Sequence, residues 1–175
     1  MDRKNKPLIS KIAVVITLFI LLSAAIANQA TAAEIRIPPL KAAPGHQIEV
    51  PVIIDGVDNL AGMKIVFGYD PKALTYQSSV KAEEAASLIH IVNDKRPGLL
   101  IAVMAGAVGI KAENLAILTF TFKVSPSASP GTSIFFRITE SQLMSDKLKD
   151  LDHRITISFL EVVKDAEALN SGGKE

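Results

Sequence analysis

Leu115-Ala116-Ile117-Leu118-Thr119-Phe120-Thr121-Phe122-Lys123-Val124 is the stretch on which the fold turns. From Leu118 onward, apolar and polar side chains alternate. Leu118, Phe120, Phe122 and Val124 fall on one side, and Thr119, Thr121 and Lys123 on the other. A period of two belongs to a strand with one face in a core and the other in water. The pattern recurs upstream. In residues 47–55, Ile48, Val50, Val52 and Ile54 share a face, while Glu49 and Pro51 oppose it. Pro51 has no N–H to donate, so this strand is expected to lie at an edge there or to carry a bulge. In residues 62–70, Met63, Ile65, Phe67 and Tyr69 point inward and Gly62, Lys64, Val66 and Gly68 outward, until Asp70-Pro71 ends the run. Further strands are expected over 74–78, 88–92, 99–105, 133–139 and 154–162, separated by turn sequences such as Asn93-Asp94 and Pro97-Gly98. Only residues 81–87, rich in Ala and Glu, have the composition of a short helix. Eight or nine short strands at this spacing imply an all-β sandwich of two sheets.

The first 33 residues have a different character. Arg3, Lys4, Lys6 and Lys11 precede an apolar run from Ile12 to Ala27 and then the small residues Ala30-Thr31-Ala32-Ala33. That is the order of a secretory signal peptide, with cleavage expected after Ala32 or Ala33 and the protein expected to be secreted or held at the cell surface. A retained leader would instead anchor it to the membrane. Without the leader the chain carries fifteen basic against seventeen acidic residues, about −2, with no basic patch of the kind nucleic-acid binders concentrate on one face. There is no cysteine, so disulfides, thiolate metal sites and cysteine nucleophiles are excluded, and the domain over 34–163 must be held by its core alone. The polar, glycine-containing end, residues 164–175, is expected to be a disordered tail.

Catalytic signatures are missing from the sequence. His46, His90 and His153 are far apart and lack companion ligands at metal-site spacing. No G-x-S-x-G elbow, H-E-x-x-H pair or phosphate-cradling loop occurs. Asp150-Leu151-Asp152 lacks the glycine and final glutamate of a calcium loop, and no two of the scattered glutamates form an evident glycosidase pair. The expectation is a non-catalytic binding protein without a cofactor or metal.

Asn59-Leu60-Ala61-Gly62-Met63, followed by Phe67-Gly68-Tyr69-Asp70-Pro71 and Leu74, resembles the opening signature of cohesin domains. Pro44-Gly45 with Ile48-Glu49-Val50-Pro51-Val52 is similar to that family's first long strand, and residues 115–124 to its late core strand. The resemblance spans residues 34–163. It implies a nine-stranded jelly-roll sandwich related to some cellulose-binding modules. It also implies a partner: a dockerin, a small helical module that carries its own calcium and sits on enzymes, often those that degrade polysaccharides. Carried over to this chain, the partner-binding face comprises Gly62, Lys64, Val66, Ile101, Val103 and Ala105, and alternation places the same six residues outward. The chain departs from cellulosomal cohesins in three places. Gly62 and Lys64 stand where those carry an Asn and an Asp, and Gly106 stands where they carry a Glu.

Two other readings remain open. A carbohydrate-binding module of the same sandwich type would need exposed aromatic faces, for which Tyr76, Phe135 and Phe136 are the candidates in a chain without Trp. A purely structural surface component would need neither sugar nor dockerin.

Overall fold

The computed structural model describes residues 33–164. The leader expected over 1–33 and the tail expected over 164–175 lie outside the described residues except for Ala33 and Lys164. Twelve strands follow in order: β1 (Ala33–Ile37), β2 (Leu40–Ala42), β3 (Gln47–Asp55), β4 (Val57–Gly68), β5 (Leu74–Lys81), β6 (Ile89–Arg96), β7 (Leu99–Ala112), β8 (Leu115–Val124), β9 (Ser133–Phe135), β10 (Arg137–Met144), β11 (His153–Ile157) and β12 (Phe159–Val162). They form a five-stranded sheet, β11-β1-β3-β8-β5, a four-stranded sheet, β10-β4-β7-β6, and a small third sheet, β2-β12-β9.

The two large sheets meet through the alternation read from the sequence. Leu118, Phe120, Phe122 and Val124 of β8 and Val50, Val52 and Ile54 of β3 are buried, as are Met63, Ile65, Phe67 and Tyr69 of β4. Phe67 lies 5.1 Å from Phe120, centroid to centroid, and Tyr69 stands edge-on to Phe122 at 4.9 Å, so the aromatic rings bridge the sheets. Ile117 is buried beside Leu118 although the two are adjacent. The register explains it. Val52 pairs with Leu118 but Ile53 with Ala116, so Ile117 is the extra residue of a β-bulge and turns inward as well. The bulge lies in β8, opposite the Val52–Ile53 step, and not in the strand that carries Pro51. On the other flank of β3, β1 pairs only with Ile53–Asp55, so the missing N–H of Pro51 interrupts no β1 ladder.

Several expectations are corrected. The expected single strands over 133–139 and 154–162 are each broken, at Phe136 and at Ser158, and β1 and β2 were not foreseen. Pro38-Pro39 separates β1 from β2 in the same way. At each break the chain passes between a large sheet and the small one, into the small sheet from β1 to β2 and from β11 to β12, and out of it from β9 to β10. Joining the three interrupted pairs leaves nine strands, the number the sandwich requires. The expected helix over 81–87 is a single 3-10 turn, Glu83–Ala85, anchored by the buried Ala85 and Leu88 and by Lys81 Nζ, which donates to the carbonyls of Ala86 and Leu88.

The Tyr69-Asp70-Pro71 signature has a structural reason. The Tyr69 amide donates to Gly98 O at 3.0 Å, Asp70 Oδ1 accepts from the Lys72 amide at 2.9 Å, and Asp70 O accepts from the Leu74 amide at 2.9 Å. Gly98 has φ +82, and a Cβ there would sit 3.1 Å from the Pro71 ring. The signature thus fixes the turn between the sheets against the β6–β7 hairpin.

Candidate functional site

The outer face of the β10-β4-β7-β6 sheet is built in cross-strand rows. The register pairs Met144 with Gly62, Gly62 with Ala105 and Ala105 with Ile89. The next row is Gln142, Lys64, Val103 and Ile91, and the third is Glu140, Val66, Ile101 and Asn93. Residues opposite one another in a ladder project to the same side. All six sequence-expected residues therefore share one face. Their exposure differs. Val103 is 40% exposed and Ala105 is exposed, while Gly62, Lys64 and Ile101 are half-buried. Val66 departs from expectation: only 9% of it is exposed, because it sits between Glu140 and Ile101 on neighbouring strands.

Sequence reasoning missed Ile89 and Ile91. They are 70% and 64% exposed and extend the apolar surface across β6. The run Leu88-Ile89-His90-Ile91-Val92 gives no clean alternation, so its inner and outer faces could not be told apart. In the structure His90 turns inward, its Nε2 3.5 Å from Ser79 Oγ, and the flanking isoleucines turn out. The 82–88 segment does not cover this surface, as those exposures show.

Lys64 is the one cation in the middle of the face, and it is not free. Its Nζ lies 2.5 Å from Glu140 Oε1 on the diagonal neighbour, so the central charge is neutralised in place. Gly106, where cellulosomal cohesins carry a Glu, is constrained too. A Cβ there would lie 2.6 Å from Leu88 Cδ2 and 3.2 Å from Ser87 O. With Leu88 fully buried, the position has no room for a side chain.

Other surfaces offer less. A groove of about 480 Å³ runs between β10 and the 145–152 loop, lined by Ser141, Gln142, Asp150 and His153 among others. Several of its polar groups are committed to one another. Gln142 Nε2 donates to Asp150 Oδ1 at 2.7 Å, His153 Nδ1 lies 2.8 Å from Leu151 O, and His153 Nε2 lies 2.8 Å from Ser141 Oγ. His46 and His90 are elsewhere, and among the described residues no three His, Cys, Asp or Glu side chains gather as metal ligands. Of the aromatic candidates, Phe136 is buried and Tyr76 packs edge-on to Phe120 and Phe122. Phe135 is exposed and pairs with Phe159 across the small sheet, centroids 5.8 Å apart. The two rings are tilted by 51°, which makes no flat platform for a sugar ring.

The family model for the Cohesin domain matches residues 33–159. Similar solved structures include a non-cellulosomal cohesin from the hyperthermophilic archaeon Archaeoglobus fulgidus, 14% identical, covering 82% of this chain and 100% of that one, with a TM-score of 0.71. The sixth cohesin of scaffoldin B from Acetivibrio cellulolyticus, solved in complex with a dockerin, is 18% identical over 75% of this chain and 99% of its own, with a TM-score of 0.68. A type I cohesin–dockerin complex from Clostridium thermocellum is 21% identical over 76% of this chain and 100% of that chain, with a TM-score of 0.64. No curated protein matches the chain.

Proposed function

The chain belongs to the cohesin family, and from that premise we propose that it is a non-catalytic docking module that receives a dockerin-type partner on the outer face of β10-β4-β7-β6. The observation that carries this reading is the exposed apolar column on β7 and β6. Val103, Ala105, Ile89 and Ile91 stand in cross-strand register, and among the described residues nothing covers them. Exposed apolar side chains gathered on one face mark an interaction surface. The relatives from Acetivibrio cellulolyticus and Clostridium thermocellum, which share the fold, were solved bound to dockerins.

Two features give the docking its character. The central charge is already paired, Lys64 to Glu140, and glycines replace polar side chains at 62 and 106. Recognition here is therefore apolar at its centre, with polar groups at the rim. We place the protein outside the cytoplasm on the strength of the leader sequence, and we connect it to polysaccharide degradation through the enzymes that carry dockerins.

Calorimetric titration of the protein with calcium-loaded dockerins tests the reading. Binding with a negative heat-capacity change is expected, because apolar surface is buried. Calcium chelation is expected to abolish it through the partner. Failure of every calcium-loaded dockerin tried, with sugar polymers binding in their place, would overturn it.

A further inference from the structure

At the Gly68 end of the docking face the chemistry changes. Arg137, Gly68, Leu99 and Arg96 form the last cross-strand row, running from β10 through β4 and β7 to β6. Both arginines therefore project on the side that carries Val103 and Ile91 further along the strands. The Arg137 side chain lies over Gly68, since a Cβ built on that glycine would be 3.7 Å from Arg137 Cβ and 3.8 Å from its Nε. At these distances Arg137 is in van der Waals reach of position 68.

Four cations are held in ion pairs, whereas those at this end, Lys72 and Lys95 included, form none among the described residues. Lys64 is held by Glu140, Lys41 by Glu161, Lys111 by Glu113 and Arg154 by Glu34. Arg96 and Arg137 are exposed and form no ion pair among the described residues. Lys95 adds a third positive charge in the β6 bulge. The carboxylates near this end are Asp94 in the same bulge and Asp70 after β4. Neither is paired with an arginine, and Asp70 Oδ1 already accepts the Lys72 amide.

We propose that the docking partner presents carboxylates to Arg96 and Arg137: an amphipathic helix whose apolar stripe covers Ile89, Ile91 and Val103 and whose acidic side chains lie at one end. This inference rests on the docking reading above and adds to it the sign and direction of the partner. An apolar or basic segment laid over this end would desolvate two guanidinium groups without compensation. Carboxylates match the planar, two-pronged donor set of arginine. The geometry sets a length as well. From the Ala105–Ile89 row to the Leu99–Arg96 row is six residues of β7, roughly 20 Å at the rise of an antiparallel strand. A helix covers that distance in about 13 residues, so its carboxylates belong between three and four turns from its first apolar contact.

The test uses the full chain and two fluorescent helical peptides with the same leucine stripe, one ending in three Glu and the other in three Lys. Anisotropy titrations at low salt are expected to show the Glu-ended peptide binding about fivefold or more tightly, with the gap narrowing at high salt as the charges are screened. Arg96→Gln with Arg137→Gln is expected to erase the preference, by weakening the Glu-ended peptide and relieving repulsion of the Lys-ended one, while leaving the thermal melt unchanged. Equal affinity of the two peptides, a preference that survives the double substitution, or no binding of either at millimolar concentration would overturn the proposal. Ile91→Asp separates this idea from the docking reading beneath it. Loss of both peptides in Ile91→Asp, when the two bind the parent equally, leaves the docking face standing and removes only its polarity. Retention of both in Ile91→Asp removes the docking face itself.

Discussion

Phe120 lies at the centre of the core, fully buried, with Phe67 at 5.1 Å, Tyr76 at 6.3 Å and Phe122 at 6.4 Å. Truncating it removes a ring that touches both sheets and leaves a cavity that its neighbours can only partly fill. Phe120→Ala is expected to cost about 3–5 kcal/mol in urea unfolding, and a cost below about 1 kcal/mol would place the ring outside the core. This residue was legible in the sequence because its strand alternates cleanly. Ile117 was not, since a bulge that turns two successive residues inward leaves no period to read. Val66 was misjudged for a related reason. Alternation gives the side a residue faces but not how far its cross-strand neighbours cover it, and Glu140 and Ile101 cover Val66 almost completely. Gly109 also had a meaning hidden in the sequence. A Cβ there would lie 1.6 Å from Asn59 Oδ1, and the same Asn59 amide donates to Asp146 Oδ1 at 2.7 Å, so the glycine admits the side chain that ties the end of β4 to the loop after β10.

At the scale of elements, the parallel pair β1–β11 closes one edge of the large sheet, and Glu34 stands opposite Arg154 in its register. The Arg154 guanidinium donates to Glu34 Oε2 at 2.9 Å, and this hydrogen bond, with one from Thr156, holds the Glu34 carboxyl below the usual carboxylate range. A carboxyl lowered in the folded state contributes stability above its unfolded value, and the contribution disappears as pH falls through the lowered one. The melting temperature of Glu34→Gln is therefore expected to lie slightly below the parent's at neutral pH. The two should converge as the solution is acidified past the ordinary carboxylate range. A gap that is constant with pH would show that the ion pair contributes nothing through ionisation. This edge was invisible in the sequence, because β1 and β2 are short, separated by Pro38-Pro39, and paired in parallel with strands more than a hundred residues away. The long antiparallel strands β3 and β8 were read with their observed limits, since each carries enough alternation to define itself.

At the scale of the whole molecule, the account is a sandwich that presents one sheet to solvent as a docking surface, in a chain proposed to lose its leader on export. Ala33 opens β1 and is buried, so cleavage after Ala32 keeps the first strand whole. Intact mass of exported protein is expected to fit a start at Ala33, and a mass that includes residues 1–32 would mean a retained anchor. The face itself was half legible. The sequence placed Val103 and Ala105 outward, yet the adjoining edge strand, with its isoleucines on either side of His90, became readable only through the register. The central claim is that Val103 belongs to a surface that is wet in the free protein and dry in the complex. It is tested most directly by Val103→Asp beside Lys123→Asp on the opposite sheet, each followed by thermal melting and by titration with a calcium-loaded dockerin that binds the parent. Both variants are expected to melt within about 0.5 kcal/mol of the parent, as exposed substitutions do. Val103→Asp is expected to weaken binding by about thirtyfold or more, because its carboxylate is buried without a partner, while Lys123→Asp binds as the parent does. Parent-like binding by a folded Val103→Asp would contradict the account.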